Sequence, residues 1–385
     1  RLYSQSKWSW FCIWINTKII KMKLQEVIDY LEDCFPLSLQ ESYDNSGLLI
    51  GDKAMELKSI LICLDSTEDV VEEAIRKGAN LIIAHHPIIF NGLKSLTGKT
   101  YIERVVIRCI QNNIALYAIH TNLDNHKQGV NAEIAKRIGL SKCRILQAKK
   151  GVLCKLVVYL PKDALELIDK ALFEKGAGRI GNYSECHFRT EGIGTFMPNE
   201  MAKPVIGEAD IRSSVSEYRV EYLVSYSKLQ AVLAALETSH PYEEIPYEIL
   251  PIDNKNQDEG AGMIGELDEV LSEQDFLQEL KTIFNCGTIR HTPFLNKPIK
   301  RIALCGGSGS FLLQDALRSK ADIFITADFK YHDFFDAENK IVIADIGHFE
   351  SEQFTTNLLA EKLKEKFTNF AIHLTEINTN PINYF

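Results

Sequence analysis

Hydrophobic and polar positions along this chain switch between two periods. Residues 23–34 carry apolar side chains at helical spacing, which predicts an amphipathic helix. SILICLD (59–65) is a short apolar run, as expected of a buried strand. STEDVVEEAIRKG (66–78) opens on Ser and Thr, puts acids in its first turn and closes on Gly, the pattern of a capped helix. NLIIAHHP (80–87) reads as a second buried strand that stops at two histidines and a proline. A helix over 101–113 and a strand running into a loop over IALYAIHTNLD (114–124) follow. Strand, helix, strand, helix, strand predicts a parallel sheet covered on both faces.

The same grammar returns near the end. Helices are predicted over 271–284, 310–320 and 351–367, and strands over 300–307, 321–328, 340–348 and 369–377. The middle differs. Residues 151–256 read as strand, helix, a strand pair around SECHFRTEGIGTFMP, strand, helix and strand. That is two β-α-β halves on one antiparallel sheet, a ferredoxin-like or PII-like arrangement. DNKNQDEG (253–260) reads as a polar linker leaving it, and GAGRIG (176–181) and GAGMIG (260–265) as two turns needing positive φ. The fold class expected is therefore α/β. Its core, residues 22–150 and 257–385, has mainly parallel sheets covered by helices and is interrupted by an α+β insert at 151–256.

Composition narrows the class. The 385 residues are 45% apolar and 25% charged, ordinary for a globular chain. Disordered, collagen-like and polytopic membrane chains are excluded. A net charge of −9 argues against a broad basic surface, so nucleic acid is not an expected partner. The first 21 residues hold four basic side chains (Arg1, Lys7, Lys18, Lys21), no acidic one and all three tryptophans (Trp8, Trp10, Trp14). The chain opens on Arg, and Met22 begins the regular pattern. Residues 1–21 are read as an upstream-translated or vector-derived extension. SKWSWFCIWI is too short to span a bilayer and no small-residue cleavage site follows it, so no membrane association is expected. The nine cysteines are odd in number and form no C-x-x-C pair. Buried reduced thiols in a cytoplasmic protein fit better than a disulfide framework or a zinc–thiolate site.

Candidate chemistry gathers at strand ends, the edge of an open α/β sheet where ligands bind. One loop holds His85 and His86, a second His120 and Asp124, a third His348 and Glu352. A single histidine at a strand end is ordinarily packed or capped. Imidazoles and carboxylates at three matching ends instead suit a first-row transition metal. Adjacent histidines on a strand point to opposite sides. One ion uses both only if the chain bends, whereas two neighbouring ions can take one each. His348 and Glu352 are four apart and meet if a helix starts near His348. A carboxylate such as Glu352 can bridge two ions. GGSGS (306–310), with Gly306 and Gly307, offers either a backbone cradle for phosphate or only a tight turn. TADFKYHD brings Asp328, Lys330 and His332 to the same edge, as groups that hold substrate or steady a ligand. Asp44, in YDNSGLLIGD, is suited to an Asx turn as much as to chemistry.

Taken together, YDNSGLLIGD, IIAHHP, HTNLD, GGSGS, ITADFKYHD and DIGHFESE resemble the NIF3-like family, also called GTP cyclohydrolase 1 type 2 homologs. The resemblance runs from about Met22 to Phe385, and the middle segment is similar to the PII-like insert of longer members through GAGRIGNYSECHF, GTFMP and HPYEE. It implies two divalent transition-metal ions per subunit (zinc, iron, manganese or nickel) and a ring-shaped homohexamer. Carried over, the ligands are His85, His86, Asp124, His348 and Glu352, with Glu352 as the bridge and His120 less secure. Tyr43 stands where relatives often have Trp. The function expected is metal-dependent hydrolysis of a nucleotide or phosphorylated small molecule. The alternative is a non-catalytic metal-binding regulatory or metal-trafficking protein with a small-molecule-sensing insert.

Overall fold

The structure is a computed structural model and describes residues 22–385. Residues 1–21, with the extension assigned to them, lie outside the described residues.

The first sheet has five strands in the order Ile372–Leu374, Ile60–Cys63, Leu81–Ala84, Ala115–Ala118 and Gly47–Ile50. The first four are parallel and the last is antiparallel. The three central strands are buried along their whole length, which is why they read as unbroken apolar runs. Helices Glu68–Lys77 and Tyr101–Gln111 form the crossovers. The first starts as its sequence dictates: Thr67 Oγ1 accepts from the Val70 N–H at 3.3 Å, and Gly78 closes the helix in the left-handed region.

The second sheet has six strands in the order Arg290–His291, Val342–Asp345, Ile323–Ala327, Ile299–Ser308, Asn256–Leu271 and Ser141–Lys149. Only Val342–Asp345, Ile323–Ala327 and Ile299–Ser308 are mutually parallel. The remaining pairs are antiparallel, so this sheet is mixed and not mainly parallel as expected. The difference comes from two strands that the apolar pattern hides. Ser141–Lys149 is an edge strand with many exposed side chains. Asn256–Leu271 begins inside the stretch expected to be a linker, because ladder pairing with Lys149 and Ala148 outweighs its polar composition. GAGMIG also lies within this strand, where the register shifts, and is not a turn, although Gly262 takes the positive φ expected there. The predicted helix over 351–367 divides into His348–Glu352 and Thr355–Lys366.

One core joins the two sheets. Ile62, Ile83 and Tyr117 of the first pack in the same buried cluster as Ile302, Ile325 and Val342 of the second. The C-terminal strand Ile372–Leu374 crosses back to the edge of the first sheet and ties the halves together.

The third sheet is antiparallel, in the order Tyr247–Ile252, Leu153–Pro161, Ser213–Ser225 and His187–Phe196. With helices Leu165–Glu174 and Tyr226–Ser239 it follows the chain order β-α-β-β-α-β around its own buried cluster, which includes Leu156, Ile168, Val220 and Val232. The strand pair expected around SECHFRTEGIGTFMP is a single strand. Its glycines sit in the ladder with Ser213–Ser225 and not at a turn. All eight cysteines of the described residues are free. No helix among the described residues is long and apolar enough to cross a membrane.

Ile325 is 1% exposed in the joint core and Ile193 is 76% exposed on the third sheet. Ile325→Ala should lower stability by about 2–5 kcal/mol through an unfilled cavity. Ile193→Ala should change it by less than about 0.5 kcal/mol. Thermal unfolding of the two variants side by side measures the contrast.

Candidate metal centre

Strand Leu81–Ala84 stops one residue before the first histidine. The chain then bends toward Pro87, while the N–H groups of His85 and His86 donate to the carbonyls of Cys63 and Leu64. The alternation of a continuing strand is thereby broken, and both imidazoles reach one cluster. His120 precedes a single helical turn, Thr121–Asp124, and Asp124 ends it. His348 and Glu352 begin and end another, so their spacing of four places both side chains on one face.

Glu352 stands at the centre. Its Oε2 lies 3.0 Å from His86 Nε2, 3.1 Å from His348 Nε2 and 3.8 Å from His85 Nε2. His85 Nε2 is 3.6 Å from Asp124 Oδ1. Ligand atoms each about 2.0–2.2 Å from one tetrahedral ion lie about 3.3–3.6 Å from one another. Three groups have their ligand atoms within 4.8 Å: His86, His348 and Glu352; His85, Asp124 and Glu352; and His85, His86 and His120. Two buried atoms of this set, His85 Nε2 and Asp124 Oδ1, have no hydrogen-bond partner among the described residues. Buried polar atoms are ordinarily paired, so this orphaned pair fits a cation between them.

The far nitrogen of every imidazole is held. His85 Nδ1 meets the Ile119 carbonyl at 2.8 Å, His86 Nδ1 the Asp65 carboxylate at 2.7 Å, His120 Nδ1 the Asp44 carboxylate at 2.7 Å and His348 Nδ1 the Asp328 carboxylate at 2.6 Å. An acceptor on Nδ1 places the proton there and turns a basic Nε2 inward, the arrangement found around metal-binding histidines.

The charges are interlocked. Burial opposes a charge on His86, but hydrogen bonds with Asp65 and Glu352 push its pKa up to about 10. Burial opposes His348 likewise, while the Glu352 charge and the Asp328 hydrogen bond raise it to about 11. Burial would raise the Glu352 carboxyl, yet the facing histidines hold it well below the usual range. Asp44 is pulled low against its own burial by hydrogen bonds from His120 and Thr121. Burial pushes Asp124 up and the nearby Glu352 charge adds to that, against the attraction of His85.

Gly307 makes room for the cluster. Its φ is +60°, and a Cβ there would lie 2.3 Å from Glu352 Oε1. Of the two readings of GGSGS, the phosphate cradle loses two donors: the Gly306 N–H donates to Asn131 Oδ1 at 3.0 Å and the Gly307 N–H to Ser351 Oγ at 2.9 Å. Lys330 and His332 are exposed, and neither lines the cavity described next. Asp328 takes φ 57°, and the chain after it enters the short helix Tyr331–Ala337, where His332 packs against Tyr331. Asp65 and the Asn131 and Ser351 side chains were missed from sequence. Asp65 closes a strand candidate at the same sheet edge, and that position was a usable signal.

Above the cluster opens a cavity of about 710 Å³, lined among others by Tyr43, His120, Lys149, Lys150, Phe311 and Glu352. Lys149 pairs with Glu41 at 2.9 Å, and Lys150 lies 3.7 Å from Asp253.

The family pattern for Duf34/NIF3 (NGG1p interacting factor 3) matches residues 22–381. The chain belongs to the Duf34/NIF3 family. This Duf34/NIF3 protein is 36% identical over 367 residues to the GTP cyclohydrolase 1 type 2 homolog of Staphylococcus epidermidis, covering 94% of this chain and 100% of that one. It is 37% identical over 365 residues to the protein of that name from Halalkalibacterium halodurans, covering 94% and 98%. Among solved structures it is similar to a Bacillus cereus protein related to NIF3, with TM-score 0.83 and 36% identity over 94% of this chain and 99% of that one.

Because His86 and His348 keep their protons through neutral pH when no metal is bound, a cation must displace protons to bind. Metal uptake at pH 7 should release protons, and affinity should fall as pH drops. Titration calorimetry in two buffers of different ionisation enthalpy reads both. Asp65→Ala should weaken metal binding by about 10–100-fold by freeing the His86 ring. Gly307→Ala should lower metal content through its clash with Glu352, as read by elemental analysis of the purified protein.

Proposed function

We propose that this Duf34/NIF3 protein carries a dinuclear metal centre and hydrolyses a nucleotide or phosphorylated small molecule. The supporting observation is the sharing of Glu352 between two ligand groups, one with His86 and His348 and one with His85 and Asp124. A carboxylate so placed suits a bridge between two ions. The donor set of imidazole and carboxylate accommodates zinc, iron, manganese or nickel. Two such ions when bound supply a water acidified toward neutrality and charge for a developing oxyanion.

The chain's own residues do the positioning. Asp65 and Asp328 fix the rings of His86 and His348, and the Ile119 carbonyl fixes that of His85. Asp44 keeps a proton on His120 Nδ1, which leaves His120 Nε2 toward the cavity for proton transfer. Lys149 is paired with Glu41 in the cavity wall, and Lys150, 3.7 Å from Asp253, is the lining cation suited to a phosphate group. Its volume of about 710 Å³ has room for a nucleotide. The β-α-β-β-α-β segment is read as a PII-like domain, and the whole chain as one subunit of a homohexameric ring.

The test is anaerobic purification with metal analysis, then a screen of phosphoesters, nucleotides and pterin precursors. Turnover that disappears in Glu352→Ala and His85→Ala, with assembly unchanged, is the expected result. Full metal occupancy with no turnover anywhere in the panel would instead leave the regulatory or metal-trafficking reading.

A further inference from the structure

A second cavity, of about 450 Å³, lies wholly within the third sheet and its connections. It is separate from the metal centre and shares no lining residue with the cavity above it. Its walls are apolar: Phe196, Pro198, Val205 and Ile206 come from the end of one strand and the long connection after it, and Tyr159 and Pro246 close the other side. At such a place a charged group is unexpected, yet Glu217 from the central strand lines it and is only 9% exposed.

Glu217 is half satisfied. Its Oε1 accepts from the Tyr242 hydroxyl at 2.8 Å. Its Oε2 enters no hydrogen bond, and the carboxylate no ion pair, among the described residues. The neighbouring strand makes space for it. A Cβ at Gly194 would lie 2.2 Å from Glu217 Oε2, so any side chain there would displace the carboxylate. Glu243 and Glu244 add two more carboxylates to the lining, which contains no Lys, Arg or His. A buried carboxylate without a cation is unfavourable, and a ligand that brings one removes the penalty. Tyr159 and Phe196 also bring aromatic rings to the lining, a residue type that attracts cations.

We propose that this cavity is a binding site for a small organic cation, an ammonium or guanidinium group on an apolar body. The charged head donates to Glu217 Oε2 and the body fills the apolar walls. The site is independent of the metal centre and of the reaction proposed for it.

The test uses the full, metal-loaded chain and ligand-observed NMR with phenethylammonium, cyclohexylammonium and agmatine. At least one should bind with a Kd of about 1 mM or tighter, as its size allows. The neutral counterpart of the bound probe, such as 2-phenylethanol for phenethylammonium, should bind at least about tenfold more weakly. Glu217→Gln, which keeps the shape, should weaken the cation by at least about tenfold and leave metal content unchanged. Failure of all three probes to bind overturns the proposal. So does equal binding of the neutral counterpart, which is measured on the unaltered chain and needs no variant to fold. Equal binding by Glu217→Gln also overturns it.

Discussion

The structure is organised around a carboxylate that burial makes costly. Glu352 is 3% exposed, and Asp124 presents a buried oxygen to the same cluster. Two carboxylates so close repel each other, and in a poorly solvated site only neighbouring positive charge stabilises both in ionised form. His86 and His348 supply it on one side of Glu352. On the other, His85 Nε2 and Asp124 Oδ1 face each other unsatisfied. The asymmetry makes the arrangement one that could hold a metal ion, since part of it is left without the hydrogen bonds of a closed ion-pair network. A network closes its own hydrogen bonds, whereas here two inward atoms, His85 Nε2 and Asp124 Oδ1, stay open while the outward nitrogen of every imidazole is made fast.

The surrounding fold follows from that demand. His86 and Glu352 are 266 residues apart in the chain, and the clustered imidazoles and carboxylates follow strands of two different sheets. Holding their atoms to within a few tenths of an ångström requires the sheets to share one close-packed core, since loops docked separately would move independently. The return of Ile372–Leu374 to the edge of the first sheet strengthens that union. Gly307 serves the same end locally: a strand passes so near Glu352 that no side chain fits between them.

The segment that carries the third sheet joins the rest of the chain beside the cavity above the cluster. Lys149 and Lys150, where the chain leaves the core, line the cavity, and so do Ala261 and Gly262, where it returns. The strands carrying these residues are adjacent, so the two crossings form one antiparallel ladder beside the site.

The elements with a strong local signal are those the sequence determined. Fully buried parallel strands read as apolar runs, capped helices announce their ends, and His85, His86, Asp124, His348 and Glu352 stand where such strands must finish. These features depend on neighbours a few residues away. The strand Asn256–Leu271 did not, because its pairing is with Ser141–Lys149 and Ile299–Ser308, and polar side chains along its start masked the ladder. Tertiary structure alone decided which groups at the sheet edge face the cluster. Asp65 and Asp44 proved to be partners of histidines, while Lys330 and His332 turned outward after a residue with positive φ. It also decided that Gly307 serves close approach to Glu352, and that the N–H groups of Gly306 and Gly307 are spent on Asn131 and Ser351. Spacing along a chain places a side chain at an edge. Its direction, its partners and the state of its proton depend on atoms brought there from hundreds of residues away.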